Sequence, residues 1–304
     1  MRPVFEWNIG ASTLQLGKRT LIMGVVNVTP DSFSDGGLHF DRDRAVEHAL
    51  KLLDDGADII DVGGESTRPG AQVLASAARE SSRPDTITKA PVGEKEELER
   101  IIPVIAYLKQ KRPNAAISVD TYKANVASAA IDAGAEIVND ISAFRWDPQM
   151  RKTVAALKCG AILMHTRARP EEWQKLPPPS DIVVQVKREL REWADAAEIA
   201  GVKRERIVLD PGFGFGKRFQ ENYPLLKRFD ELHQLRYPLL AGVSRKSFIG
   251  RALARNGKDA AVDDRLFGTL ASETAVILKG AHIIRTHDVK ACADAARIAD
   301  IVVN

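Results

Sequence analysis

The sequence predicts an α/β protein folded as a (β/α)8 TIM barrel with a short N-terminal β-hairpin. Eight short runs of mostly apolar, often β-branched residues alternate with longer amphipathic stretches, an alternation typical of parallel strands joined by helices. In units such as "DAGAEIVNDIS" a helix ends at glycine and the next strand ends in polar residues, which favours equivalent units of one barrel over the alternative, an open doubly wound sheet.

The predicted elements follow in order along the chain. The segments EWNIG and TLQLGKR, within the first twenty residues, predict a hairpin that closes the bottom of the barrel. The predicted strands are 21–26, 59–62, 116–119, 136–138, 161–164, 206–209, 238–241 and 282–284. The predicted helices are 41–55, 94–111, 124–133, 148–158, 181–200, 223–234, 265–279 and 291–301.

Two segments interrupt this rhythm. Residues 71–93 are rich in Ala, Ser, Arg and Thr, and we expect a long flexible loop there. Residues 166–180 contain three consecutive prolines and are expected to form a second loop. Residues 1–304, with these loops included, are predicted to form a single domain, since a TIM barrel alone takes about 250 residues.

Composition argues against several classes of protein. A formal net charge of +3, with both signs interspersed, gives no basis for nucleic-acid binding. The N-terminus lacks a signal peptide pattern, and no apolar run approaches the roughly 18 residues of a membrane span. Cys159 and Cys292 form neither a metal motif nor a disulfide framework. We therefore expect a reduced, cytoplasmic protein.

Polar residues follow every predicted strand. Since the carboxyl ends of barrel strands meet at one face, these side chains are expected to surround one mouth. Singly, each has a simpler explanation: Asp210, which precedes Pro-Gly, could form a turn, and Asn139 could cap a helix. As a ring they indicate a ligand site, because buried polar groups are costly unless paired. The ring comprises Asn27, Glu65, Asp120, Asn139, His165, Asp210, Ser244 and Arg285 or the residues that directly follow them.

The ring divides by chemistry. Asp120, Asn139 and Asp210 offer groups suited to a flat heterocycle with guanidine-like donors, and the basic residues suit phosphate or carboxylate groups. These basic residues are Arg68, Lys246, Arg285 and His287. The glycine-rich "PGFGFGK" resembles a phosphate loop only loosely, and a tight turn explains it equally well. Ser247 begins a predicted helical stretch whose N–H groups could hold an anion.

Read together, eight motifs resemble the dihydropteroate synthase family over residues 20–302. They are GVVNVTPDSFSDGG, DVGGESTRPGA, SVDTYK, IVNDIS, LMH, LDPGFGFGK, VSRKSFIG and IIRTHDV. The resemblance implies condensation of 6-hydroxymethyl-7,8-dihydropterin pyrophosphate with 4-aminobenzoate to 7,8-dihydropteroate and pyrophosphate, with Mg2+. Two segments depart from the family pattern: the segment after Gly70 is longer, and Thr-Arg-Ala-Arg-Pro follows His165.

The resemblance also implies residue roles. Asp120, Lys246, Asp35 and Arg285 would be catalytic, and Asn27 would lie at the metal. The pterin would contact Asp120, Asn139, Asp210, Lys246 and Arg285, with apolar walls from Met164, Ile137 and Phe215. Pyrophosphate would contact Asn27, Thr67, Arg68, Arg285 and His287. The 4-aminobenzoate, or a sulfonamide in its place, would contact Phe33, Thr67, Pro69, Lys246 and Ser247.

The implied mechanism is SN1-like: pyrophosphate leaves first, and the pterin carbocation is stabilised by Asp120 and Asp35. A homodimer through residues 265–279 and 291–301 is also implied. The alternatives are a pterin-dependent methyltransferase of the same fold and a non-catalytic pterin-binding protein. The complete TPDSFSDGG and SRKS blocks argue against the first, and the intact polar ring argues against the second.

Overall fold

A computed structural model describes residues 2–28, 38–65 and 92–303. Eight parallel strands in these ranges form one sheet in the order β8-β7-β6-β5-β4-β3-β10-β9, and a bridge between Leu209 and Leu239 joins its two edges. The sheet is thereby closed into a nearly complete barrel, which confirms the predicted fold class. The strands are β3 (Leu21–Asn27), β4 (Ile59–Gly63), β5 (Ala116–Asp120), β6 (Ile137–Asp140), β7 (Gly160–Met164), β8 (Ile207–Asp210), β9 (Leu240–Ala241) and β10 (Ile283–Thr286).

Helices surround the barrel close to their predicted positions. The main difference lies at residues 223–234, where the α-helix ends at Lys227 and a 3-10 helix, Phe229–Leu235, follows. Arg228 interrupts the helix because its φ of −113° and ψ of 25° lie outside the helical region. The helices are α1 (Leu38–Asp54), α2 (Glu94–Lys111), α3 (Ala124–Asp132), α4 (Met150–Leu157), α5 (Ile182–Ile199), α6 (Asn222–Lys227), α7 (Ser247–Ala252), α8 (Leu266–Leu278) and α9 (Val289–Val303).

The N-terminal hairpin closes the bottom of the barrel, as predicted. Its strands β1 (Phe5–Ile9) and β2 (Ser12–Leu16) are antiparallel. Trp7 and Ile9 are buried among apolar side chains near the strand starts, and Trp7 Nε1 donates a hydrogen bond of 2.8 Å to the carbonyl of Arg206. A Cβ atom on Gly160 would lie only 2.7 Å from Ile9 Cγ2. Glycine at this position therefore allows the hairpin to approach.

The character of the barrel interior changes two residues beyond the apolar floor in β4, β8 and β10. The apolar floor includes Ile59, Val208 and Ile283. Because alternate residues of a strand share a face, the next inward positions are Asp61, Asp210 and Arg285. The polar ring predicted from the sequence therefore lies directly above an apolar floor, except that His165 is fully buried and its ring nitrogens face Glu189 and Lys217 instead of the cavity.

This layering corrects one predicted site residue. Ile137 was expected to form an apolar wall of the ligand pocket, but it is fully buried in the floor cluster with Trp7 and Ile9. It is the first residue of β6, so Asn139 rather than Ile137 reaches the mouth. Ile141, just beyond the strand, lines the cavity instead.

The described helices do not meet the requirements of a membrane span. Within the described ranges, none is both long enough and apolar enough to cross a bilayer.

Candidate active site

A cavity of about 390 Å³ opens at the carboxyl ends of the strands. Its volume lies within the range of small-molecule sites. It brings together the predicted site residues that fall in the described ranges, apart from Ile137. These lining residues are Asn27, Asp120, Asn139, Met164, Asp210, Phe215, Lys246, Ser247, Arg285 and His287.

The remaining predicted site residues belong to the first and second strand-to-helix loops. They lie outside the described residues, so their predicted roles stay predictions. They are Phe33, Asp35, Thr67, Arg68 and Pro69.

A network of hydrogen-bonded charged side chains lies at the inner end of the cavity, above the apolar floor. Arg285 Nε donates to Asp61 Oδ2 at 2.6 Å, and its Nη2 donates to Asp120 Oδ2 at 2.8 Å. Asn139 Nδ2 also donates to Asp61 Oδ2, at 3.1 Å. One guanidinium thus aligns two carboxylates and, through Asp61, the amide of Asn139, which fixes all of these side chains for ligand contact.

Asp61 is a site residue that the sequence reasoning missed. Its side chain is fully buried on β4, and Oδ1 has no hydrogen-bond partner among the described residues. The signal was present as a carboxylate within the apolar run IIDVG. Such a residue inside a barrel strand needs a buried partner, and here that partner is Arg285.

Two acidic side chains of the ring have raised pKa values. Burial raises the pKa of Asp120 to about 7, an effect that Arg285 opposes and Asp61 reinforces. Burial raises the pKa of Asp210 to about 6, against the backbone N–H of Gly212 and the charge of Lys246. Both carboxyl groups therefore titrate close to neutral pH, as is common for groups in functional sites.

Residues 211–217, here called the glycine loop, form one wall of the cavity. Gly212 N–H donates to Asp210 Oδ1 at 2.7 Å, and Lys246 Nζ lies 4.2 Å from the centre of the Phe215 ring. Gly212 has a φ of +65°, and a Cβ there would lie 2.0 Å from the carbonyl oxygen of His165. Only glycine fits this position, so the turn interpretation of this motif is correct for Gly212.

His287 contributes to the cavity as a neutral group. Burial and the neighbouring Arg285 lower its pKa to about 3. Ser244 Oγ accepts from the backbone N–H of His287 at 3.2 Å and lies 3.0 Å from its Nδ1. A neutral imidazole has one N–H donor and one acceptor nitrogen, and the contact with Ser244 occupies Nδ1. The sequence reasoning treated His287 as a cation, and in the ligand-free site it is neutral.

Arg245 and Arg265, which the sequence analysis did not select as site residues, fix the start of α7. Arg245 has a φ of +57° and donates to both carboxylate oxygens of Asp288, at 3.0 and 2.6 Å. Arg265 Nη1 donates to the carbonyl oxygen of Arg245 at 2.9 Å. Because both contacts hold the residue before Lys246, they determine where Lys246 and Ser247 face the cavity.

The sequence analysis also did not select Trp173, which follows the segment Thr-Arg-Ala-Arg-Pro that departs from the family pattern. It lies in a 3-10 helix, Pro170–Lys175, inside the segment predicted as loop. Its indole N–H donates to the carbonyl of Ala168 at 2.8 Å, and its ring packs edge-to-face on Phe215 at 5.6 Å. Trp173 therefore extends the aromatic wall of the cavity.

The donor set of the cavity bears on the implied magnesium ion. Among the described residues, no group of three or more His, Cys, Asp or Glu side chains could hold a metal. Asn27 places an amide oxygen at the rim from the end of β3. Mg2+ bound with a polyphosphate needs few protein ligands because phosphate oxygens and water complete its octahedron. The residues therefore fit a metal that enters with its substrate.

Comparison with known proteins agrees with this site. A model of the pterin binding enzyme family matches residues 23–287. The dihydropteroate synthase of Clostridium beijerinckii is 41% identical over 296 residues, which cover 97% of this chain and 98% of the relative. The chain therefore belongs to the pterin-binding enzymes, specifically to the dihydropteroate synthase family.

Solved structures give the same result. The Xanthomonas albilineans dihydropteroate synthase with 4-aminobenzoic acid superposes with a TM-score of 0.85 and 39% identity, covering 99% of this chain and 98% of that one. A structure of the same enzyme with 7,8-dihydropteroate has a TM-score of 0.81 and 38% identity, covering 98% of both chains. The Yersinia pestis enzyme with a sulfonamide drug has a TM-score of 0.84 and 38% identity, covering 98% and 99%. The chain is thus a transferase of folate biosynthesis.

Proposed function

We propose that the cavity binds the pterin edge-on against Asp210, Asn139 and Asp120, with Lys246 at the ring carbonyl and Arg285 against the ring face. The observation that carries this proposal is the network in which Arg285 orders Asp61, Asp120 and, indirectly, Asn139. Fixed acceptors of this kind suit the amino-pyrimidine edge of a pterin. Met164 and Phe215 supply the apolar contacts, since both line the same cavity.

The proposed chemistry is SN1-like. The bond between the exocyclic carbon and the pyrophosphate oxygen breaks, and its electron pair leaves with the pyrophosphate. The resulting carbocation is delocalised into the electron-rich pterin, and the Asp120 carboxylate stabilises it when ionised. The 4-aminobenzoate nitrogen then forms the new bond to carbon, and its proton passes to pyrophosphate or water. Asp35 is the proposed second stabiliser.

Cations and neutral donors assist the departure of pyrophosphate. Arg285 and His287 would hold its oxygens, the first as a charged donor and the second through Nε2–H, while Thr67 and Arg68 are proposed contacts from outside the described ranges. Asn27 would hold Mg2+ through its amide oxygen. When bound, the ion supplies neutralisation of the developing negative charge on the leaving group.

The 4-aminobenzoate is proposed to bind nearer the mouth. Ser247 begins α7 and lines the cavity beside Lys246, which suits a carboxylate. Phe33, Thr67 and Pro69 would complete this pocket. The relatives from Xanthomonas albilineans and Yersinia pestis, solved with 4-aminobenzoic acid and a sulfonamide respectively, support both ligands for this chain.

The test is a coupled-substrate assay. Purified protein with the pterin pyrophosphate, 4-aminobenzoate and Mg2+ should release pyrophosphate and form 7,8-dihydropteroate only when both organic substrates are present. Omission of Mg2+ by chelation should reduce the rate strongly. Pyrophosphate release without pteroate formation, at equal rates with and without 4-aminobenzoate, would refute the proposed reaction at this site.

A homodimer through α8 and α9 is proposed on the apolar character of their outer faces. Phe267 is 82% exposed and Ile301 is 77% exposed, with Ile298 and Val302 also largely exposed. Apolar side chains grouped on the surface commonly mark protein interfaces. Light scattering should give twice the chain mass, and Phe267→Glu with Ile301→Glu should give a monomer. A monomeric wild-type protein would refute this proposal.

A cytoplasmic location is proposed from cysteine chemistry. Cys159 and Cys292 are both unpaired and buried, which suits a reducing compartment. Fractionation of the source cells with an antibody against the chain would test this location, and its recovery outside the cytoplasmic fraction would contradict it.

A further inference from the structure

Lys217 ends the glycine-rich motif PGFGFGK, yet it does not face the cavity. Its residue exposure is 7%, and its side chain points behind the glycine loop. Nζ lies 2.8 Å from the carbonyl oxygen of Gly212 and 3.1 Å from that of Phe215. It also lies 2.9 Å from His165 Nδ1 and 3.2 Å from the His165 carbonyl oxygen. Four acceptors therefore surround one amino group.

The acceptors account for every hydrogen of an ammonium group. An ammonium carries three donors, and the carbonyls of Gly212 and Phe215 together with His165 Nδ1 are the three nearest acceptors. His165 Nε2 lies 3.0 Å from Glu189 Oε2 on α5. The imidazole thus donates to Glu189 and accepts from Lys217, which makes it a neutral connector between the loop and the outer helix layer.

This arrangement excludes a phosphate role for the lysine. A lysine that binds phosphate must direct its donors into the cavity, whereas those of Lys217 are taken up by backbone and imidazole acceptors. Nor does Lys217 line the cavity, although Gly212, Phe213, Gly214 and Phe215 do. The charged end of the motif lies behind the wall that its glycines form.

Lys217 contacts Gly212 and Phe215, two residues of the glycine loop that line the proposed ligand site. Gly212, whose carbonyl it binds, donates its N–H to Asp210 Oδ1. Phe215, whose carbonyl it also binds, carries the ring that Lys246 covers. Gly212 and Gly216 have φ values of +65° and +64°, which glycine adopts without strain, so Lys217 holds the position of the loop rather than its backbone conformation.

We propose that Lys217 is a positioning residue for the pterin-binding wall, which it holds from behind through the carbonyls of Gly212 and Phe215. The inference rests on the pterin pocket proposed above. Loss of the ammonium removes the donor to the Phe215 carbonyl and to His165 Nδ1, and leaves the Gly212 carbonyl with only the backbone N–H of Phe215 at 3.2 Å. Asp210 and Phe215 then lose their fixed placement, and pterin affinity falls although no ligand contact is removed.

The experiment measures pterin affinity by calorimetry and Tm by scanning calorimetry on the same preparations. Lys217→Met should weaken pterin binding about tenfold, the effect of losing one or two hydrogen bonds to a charged group. Lys217→Arg, which keeps a donor-rich cation, should recover part of that loss. The matched control is Leu232→Ala, which removes a buried side chain outside the cavity and should lower Tm without changing pterin affinity.

The outcomes separate the two proposals. Wild-type protein that binds pterin, with Lys217→Met binding equally well while its Tm falls as in Leu232→Ala, refutes the positioning role alone. Wild-type protein that binds no pterin refutes the pocket and this inference together. If Lys217→Met does not fold, Glu189→Gln serves as the second variant. It weakens the outer end of the hydrogen-bond chain that runs from Lys217 through His165 to Glu189, and it should lower pterin affinity about twofold to threefold.

Discussion

The two ends of the barrel are built from the same strands but are held together by different kinds of contact. At the floor, Trp7 and Ile9 of the hairpin meet Ile59 and Ile137 in a wholly apolar cluster. Two residues further along the same strands, Asp61 shares hydrogen bonds with Arg285 and Asn139. Burial is complete or nearly so at both levels for Ile137, Asn139 and Asp61, so solvent access does not distinguish them.

The difference is one of specificity. Apolar contacts at the floor are non-directional and stabilise the fold in proportion to the area they bury. Carboxylates at the mouth are costly to bury and are retained in a fixed geometry by a single guanidinium. The floor therefore contributes mainly stability, whereas the mouth gives up stability for a site whose charges are already in place. Substitutions at the two levels should separate these contributions.

The largest effect is expected for Arg285→Met. It leaves Asp61 and Asp120 without their cation, and loss of one partner from a buried ion network costs roughly 3–5 kcal/mol. Protonation of Asp120, whose pKa is already raised to about 7, will keep the loss near the lower limit. Turnover should become undetectable and the free energy of unfolding in urea should fall. Arg285→Lys is the matched control and should lose activity with a smaller loss of stability. Equal stability of Arg285→Met and wild type would contradict the network's role.

Trp7→Ala should have a comparable effect on stability but no effect on pterin binding. Removal of a buried tryptophan typically costs about 3–5 kcal/mol, and here the hydrogen bond to Arg206 is also lost. Pterin affinity of the folded fraction should be unchanged, measured well below Tm. Trp7→Phe keeps most of the apolar contact and should lose about 1–2 kcal/mol. A large loss of pterin affinity in Trp7→Phe would show that the two levels are coupled.

Lys246→Ala should affect binding more than folding. The proposed charged donor to the pterin carbonyl is removed, and a hydrogen bond to a charged group contributes about 1.5–3 kcal/mol. Calorimetry should give a pterin Kd about ten to a hundred times higher. Lys227→Ala, an exposed lysine on α6, is the control and should bind normally. Unchanged affinity of Lys246→Ala would remove Lys246 from the pterin site.

The smallest expected effect is a pH dependence that differs in sign for binding and stability. Asp210 accepts best when ionised, and its pKa is raised to about 6. Pterin should therefore bind about tenfold more weakly at pH 5 than at pH 7, as the ionised fraction of a group with that pKa changes. Calorimetry over that range should reveal a larger loss in wild type than in Asp210→Asn, because Asp120, with a pKa of about 7, titrates in both proteins. An equal loss in Asp210→Asn would assign the pH dependence to another group.

The stability of the ligand-free protein should change in the other direction. The folded-state pKa of Asp210 lies above its ordinary value of 3.8, so its contribution is fully present below that value and is lost as pH rises through about 6. Urea unfolding at several pH values should show a shallower decline between pH 4 and 6 in Asp210→Asn than in wild type. An identical slope would mean that Asp210 has no raised pKa in the folded protein.

Local sequence patterns predicted the elements well but not all of their neighbours. The strand at 59–62 and the polar residues after it could be predicted because alternation and turn residues are local properties of the sequence. Asp61 was passed over because the sequence shows a carboxylate inside an apolar run but not its partner, Arg285 on β10, whose Nε lies 2.6 Å from Asp61 Oδ2. Ile137 was placed in the pocket because a sequence does not show how far up a strand the cavity begins. Trp173 was missed because it reaches Phe215 from another loop.

The sequence by itself determined the barrel, the hairpin below it, and the residue types at the strand ends, because each follows from spacing along the chain. Only the tertiary structure decided which of those residues share a hydrogen bond, and hence their charge states. Burial beside Arg285 makes His287 neutral, and Lys217 points behind the wall rather than into the cavity. Both outcomes depend on which groups lie close together in the folded protein, because desolvation and neighbouring charges set the pKa of each group.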